Sequence, residues 1–245
     1  MPSLEELELS IIEQCSEQDG ILSLIRNEQF DEAKYYKLTA TLAAYRDALG
    51  DQIRINRKLA GCLRMINNTF DIVVIASDRN DGDSEFKRSL NHAHPEILDL
   101  IQETNGILGM TYSYEYIDKF REIDVSTSED HIAKLERLNY QLIARSMEDE
   151  EVERGMWTLL SDLVYNDEKY HDFIKRLEDY LQVLGQVKWI NRQVAAYFLL
   201  VENQFLGAAM VYDRDKRRNM DERIKTGYPK FAALIDRIFD VNLAD

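Results

Sequence analysis

The chain carries one stretch twice. LGDQIRINRKLAGCLRMINNTFDIVVIASDR, from Leu49 to Arg79, returns 135 positions later as LGQVKWINRQVAAYFLLVENQFLGAAMVYDR, from Leu184 to Arg214. Without a gap the two share Leu49/Leu184, Gly50/Gly185, Ile55/Ile190, Asn56/Asn191, Arg57/Arg192 and Phe70/Phe205. Both end in Asp-Arg, at Asp78-Arg79 and Asp213-Arg214. The register runs backwards through Lys34/Lys169, Tyr35/Tyr170, Leu42/Leu177 and Tyr45/Tyr180, and after a one-residue slip it pairs Pro95/Pro229, Leu100/Leu234 and Ile101/Ile235. Aligning any two amphipathic helices yields hydrophobic matches; it does not readily yield the INR, DR and LG identities as well. The pattern points to an internal duplication, with residues 1–110 as a first helical repeat, 111–127 as a connector and 128–245 as a second repeat.

The spacing inside the stretch sets its secondary structure. Asn56, Leu59, Leu63, Ile66, Phe70 and Val73 step by three and four, as do Asn191, Val194, Phe198, Val201, Phe205 and Ala208. That is a helical seam at near-heptad spacing, of coiled-coil type, with an asparagine at the same seam position in each copy. An asparagine in an apolar seam costs stability unless its amide is paired, and its best-attested use is to fix register. The alternative is that Asn56-Arg57 and Asn191-Arg192 face a groove and hydrogen-bond to a bound helix.

Three prolines and ten glycines in 245 residues leave long stretches rich in Leu, Ala, Glu, Lys and Arg. Such stretches favour helix, and no run alternates with period two for long enough to form a sheet. Ser3 with Glu6 makes a capping box for a first helix. Gly20 interrupts it, Asp31 caps a helix over about 31–48, and Gly50 kinks or breaks that helix. Pro95 is expected to end a short helical piece from Phe86 to His94. Residues 77–84 and the basic DRDKRRNMDER segment are expected as turns. The expected fold is all-α: two similar helical bundles packed about a pseudo-twofold axis, as a monomer resembling a fused dimer or as a dimer.

Charge narrows the function classes. A formal net charge of −15 repels nucleic-acid phosphates and anionic lipid, and it suits a basic protein partner. The N-terminal MPSLEELELS lacks the basic and apolar regions of a secretory signal, and the apolar runs are too short to span a membrane. Cys15 and Cys62 form no repeating framework. A soluble cytoplasmic protein without cofactor or metal is expected. His171 lies three residues after Glu168, as in a di-iron helix ligand pair, but the first copy has Ala33 and Tyr36 there. Arg88 and His94 resemble the Arg-x4-6-His motif of HEPN-type ribonucleases, which would make His94 an acid or base; the second copy keeps Arg223 without a matching histidine. The Asp78-Arg79 and Asp213-Arg214 pairs suit helix-end charge pairs that hold a turn, or an edge that touches a partner.

RLEDYLQVLGQVKWINRQVAAYF and ALGDQIRINRKLAGCLRMIN each follow an acidic leucine-rich segment. In this they resemble the FlgN-type flagellar export chaperones, helical hairpins whose later helix carries spaced asparagines before an apolar heptad run. The resemblance implies a non-catalytic cytoplasmic protein that binds the helical end of a secreted subunit. The reading taken forward is a chaperone or adaptor with a groove for a partner helix. Its rivals are an acidic immunity or antitoxin-type inhibitor of a basic protein, and a helical ribonuclease using Arg88 and His94.

Overall fold

The computed structural model describes residues 2–15, 20–78, 84–105, 134–135, 138–139, 142, 165–208 and 214–240, and the side chains of all these except 75–78, 208 and 214–224. The chain divides into two units, Met1–Gly109 and Met110–Asp245. The connector expected at 111–127 lies outside the described residues.

In the first unit the order is α1 (Leu4–Gln14), α2 (Ile21–Arg26), α3 (Glu32–Leu49), β1 (Arg54–Asn56), α4 (Arg57–Asp78) and α5 (Glu85–Asn105). The expected capping box opens α1: the Ser3 amide donates to Glu6 Oε2 at 2.7 Å, and the Glu6 amide donates to Ser3 Oγ at 3.3 Å. Asp31 Oδ1 accepts the Lys34 amide at 3.0 Å and opens α3. That helix stops at Gly50, whose φ of +50° and ψ of −128° suit only a residue without Cβ. Helices α1 and α3 pack together, α4 packs on α1, α2 and α5, and α5 packs on α3. Leu38, Leu42 and Tyr45 of α3, Leu59, Leu63, Ile66 and Phe70 of α4, and Ile97 and Ile101 of α5 are fully buried between them. Each such aliphatic or Phe side chain contributes roughly 1.5–3 kcal/mol relative to an exposed one. The free thiols of Cys15 and Cys62 are buried and hydrogen-bonded to each other; that bond, then burial, pushes the Cys15 thiol well up.

The second unit follows the same local plan in α6 (Asp167–Leu184), β2 (Trp189–Asn191), α7 (Arg192–Ala208) and α8 (Arg214–Phe239). Asn166 Oδ1 accepts the Lys169 amide at 3.0 Å where Asp31 serves in the first unit. Gly185 closes α6 at φ +52° and ψ −126°, nearly the angles of Gly50. The core is more aromatic, with Tyr180, Phe198, Phe205, Phe231 and Phe239 buried and Phe205 and Phe231 centred 5.2 Å apart. Residues 134, 135, 138, 139 and 142 are helical, and Leu142 is buried.

Among the described residues the protein is thus helical in class, with the two three-residue strands, not anticipated from the sequence, as the exception. Three local expectations are corrected. Pro95 does not end a helix: it lies inside α5, and Pro229 lies inside α8. A proline there has no N–H for the carbonyl four residues back, yet packing holds both helices across the gap. Tyr35 reaches the Ala93 carbonyl from α3, donating at 3.0 Å; Tyr170 does the same to the Gly227 carbonyl from α6, at 2.6 Å. Second, the segment beginning at Arg214 is helix rather than turn. Third, Asn56 and Asn191 are not seam residues within a helix. Each is the last residue of a strand and the cap of the helix that follows.

Candidate functional site

The asparagine pairs come first, because the recurring stretch singles them out. Asn56 Oδ1 accepts the amides of Lys58 at 3.0 Å and Leu59 at 3.4 Å. Asn191 Oδ1 accepts those of Gln193 at 2.9 Å and Val194 at 3.3 Å. These amides have no partner within the helix, and an asparagine side chain is among the best groups to satisfy them. Asn56 also donates through Nδ2 to Glu8 Oε2 at 2.9 Å, and Tyr45 donates its hydroxyl to Glu8 Oε1 at 3.2 Å. Glu8 is 2% exposed, so a buried carboxylate of α1 is held by a strand end and by α3. Arg57 is buried and Arg192 half-buried at the first helical positions. None of the four lines a cleft described below.

Of the Asp-Arg pairs, Asp78 ends α4 and Arg214 begins α8; their side chains, and all of Arg79 and Asp213, lie outside the described residues. Arg88 and His94 sit on different faces of α5, six residues being ~240° of helical turn. His94 Nε2 meets Asp71 Oδ1 of α4 at 2.7 Å, and its ring stacks on Phe70. Arg88 is exposed on the side facing α3. The two are not brought together over one site. His171 Nδ1 lies 2.5 Å from the Asp167 carbonyl of its own helix. Among the described residues no group of three or more His, Cys, Asp and Glu is placed to hold a metal ion.

Among the described residues of the first unit, α3 and α5 enclose a cleft of about 810 Å³. Its α3 wall is Tyr36, Thr39, Ala40 and Ala43, one face at helical spacing. The small Ala40 and Ala43 leave the space that a longer side chain would fill. The α5 wall combines Pro95 and Leu100 with Glu96, Asp99 and Glu103. Tyr36 is a large apolar ring 58% exposed at its edge. The lining therefore holds three carboxylates, one histidine (His92) and no lysine or arginine. Arg46 pairs with Glu103 at one end. Tyr35, beneath the ridge, has its hydroxyl 2.7 Å from Glu96 Oε2, and burial with that carboxylate pushes its ionisation far up. A smaller cleft of about 240 Å³ shares Tyr36 and His92 and adds Phe30, Glu32 and Arg88.

No model of a protein family, no curated protein and no solved structure matches this chain. The site must therefore be read from its own geometry. An apolar floor between two helices under an acidic rim can seat a helical or extended peptide with apolar anchors. The seam arithmetic of the sequence passed over these residues because they lie on the outer faces of α3 and α5. The available signal was the run ATLAA at Ala40–Ala44, where small residues leave a helix face without bulk.

Proposed function

We propose that this is a non-catalytic, helical protein-binding protein: a cytoplasmic chaperone or adaptor that holds a segment of a partner in a groove. The observation that carries the reading is the α3–α5 cleft, with Ala40, Ala43, Pro95 and Leu100 as its floor and an exposed Tyr36 at its edge. The FlgN-type resemblance agrees with this role, since it implies holding the helical end of a secreted subunit. An ancestral duplication accounts for the matched caps at Asn56 and Asn191 and the matched helix ends at Gly50 and Gly185.

A second reading draws on the net charge of −15: an acidic inhibitor of the immunity or antitoxin kind, bound to a basic protein. Affinity purification from the native host, followed by mass spectrometry, separates the two. A secretion substrate in stoichiometric amount supports the chaperone; a basic toxin supports the inhibitor. Recovery of the protein with no stoichiometric partner would count against both.

A further inference from the structure

The two units carry the same helix faces with opposite chemistry. Across the α6 and α8 faces that correspond to the cleft, Lys175 stands for Ala40, Glu178 for Ala43, Lys230 for Glu96, Ala233 for Asp99 and Arg237 for Glu103. Lys230 Nζ lies 3.2 Å from Glu178 Oε1, so an ion pair spans the position that is open above Ala43. The shared scaffold does not require acids or alanines at these places. Tyr170 donates to the Gly227 carbonyl of α8 where the sequence has Lys230 in place of Glu96, so a carboxylate at that position is not needed to satisfy the tyrosine either.

From this contrast we infer that the α3–α5 cleft of the first unit is specifically a docking site for a cationic amphipathic helix of a partner protein. Apolar residues of that helix fill the space over Ala40, Ala43 and Leu100. Its lysines or arginines, one turn away, meet Glu96 and Asp99. Charge complementarity selects the occupant: Arg46 already answers Glu103, and Glu96 and Asp99 face the cleft with no lysine or arginine in the lining, so an acidic helix is repelled and a cationic one is favoured over an apolar one. The inference rests on the protein-binding reading above and names the partner class for it.

The test uses the full chain and a fluorescent peptide of Leu, Lys and Ala, ~18 residues or about 27 Å of helix, beside the same peptide with Glu for Lys. Anisotropy should report binding of the Lys peptide only. Glu96→Lys should weaken it roughly tenfold or more, and Ala43→Glu with Glu96→Lys, which installs the ion pair of the second unit, should abolish it. Ala40→Lys is the alternative should the double variant lose its helical circular dichroism. Asp51→Lys makes the same charge change as Glu96→Lys at an exposed turn outside the cleft and should leave affinity within about twofold.

Equal binding of the Lys and Glu peptides overturns the inference, and so does equal loss in Asp51→Lys, which would mean diffuse attraction to an acidic chain. Self-association by light scattering that Glu96→Lys abolishes overturns it in favour of a second copy as occupant. A host partner retained in full by the double variant sinks the cleft and leaves the protein-binding reading standing. A host preparation without any stoichiometric partner sinks that reading, whatever the peptide does.

Discussion

Single residues do the most exacting work at the turns between helices. Asn56 serves two ends at once: its oxygen caps α4, and its nitrogen holds the buried Glu8. Asn56→Ala should cost about 1–3 kcal/mol in urea unfolding, because the cap is lost and a buried carboxylate loses a donor. Asn56→Asp keeps the capping oxygen and sets a second carboxylate against Glu8, so at neutral pH it should be at least as damaging despite being an equally good cap. A variant in which Asp matches wild type would show that the Glu8 contact carries no energy. Glycines give a second contrast. Gly50 and Gly185 have positive φ, and nothing stands within 4 Å of the Cβ an alanine would add at Gly50. Gly50→Ala should therefore cost ~1–3 kcal/mol through backbone strain alone. Gly207 lies in α7 with equally open space and no positive φ, so Gly207→Ala should gain about 0.5–1 kcal/mol. The signs of the two melting shifts are opposite, which makes the pair decisive.

At the scale of elements, the seam of α4 and α7 was legible in the sequence and its start was not. Leu59, Leu63, Ile66 and Phe70 are fully buried, as are Val194, Phe198, Val201 and Phe205, because a three-four spacing puts them on one stripe. Phe70→Ala and Phe205→Ala should each cost about 3–5 kcal/mol, measured by chemical denaturation with unchanged helical signal at low denaturant. The seam pattern included the asparagines because capping and seam positions share the same three-residue step. A side chain three residues before an apolar position can bond a free amide instead of joining the stripe. The prolines misled for a related reason. Local sterics disfavour Pro95 and Pro229 within a helix, and it is the burial of Ile97, Ile101, Phe231 and Ile235 on the same helices that keeps each helix continuous.

Over the molecule as a whole, the buried tyrosines couple the fold to alkaline pH. Burial pushes the Tyr170 hydroxyl from its ordinary 10.0 up to about 12, and Tyr35 is displaced upwards further. The folded state therefore favours the neutral phenols. Their contribution is complete below pH 10, and for Tyr170 it is lost as pH rises from 10 towards 12, where the unfolded chain ionises first. Unfolding midpoints should fall across that window, and Tyr170→Phe should flatten the fall. A midpoint independent of pH between 10 and 12 would remove both tyrosines from the account.

The sequence by itself determined the helical class, the caps at Ser3 and Asp31, the stop at Gly50, and the recurrence of one pattern at two addresses. These depend on neighbours within about four residues, on spacing and on backbone freedom, all of which are written locally. Only the tertiary structure decided that helices run through Pro95 and Pro229, that Glu8 is buried against Asn56 and Tyr45, and that Ala40 and Ala43 face Pro95 and Glu96 across an open cleft. Those outcomes join residues about 37 to 61 positions apart in the chain. Such pairings arise from how helix faces meet, which no local spacing specifies.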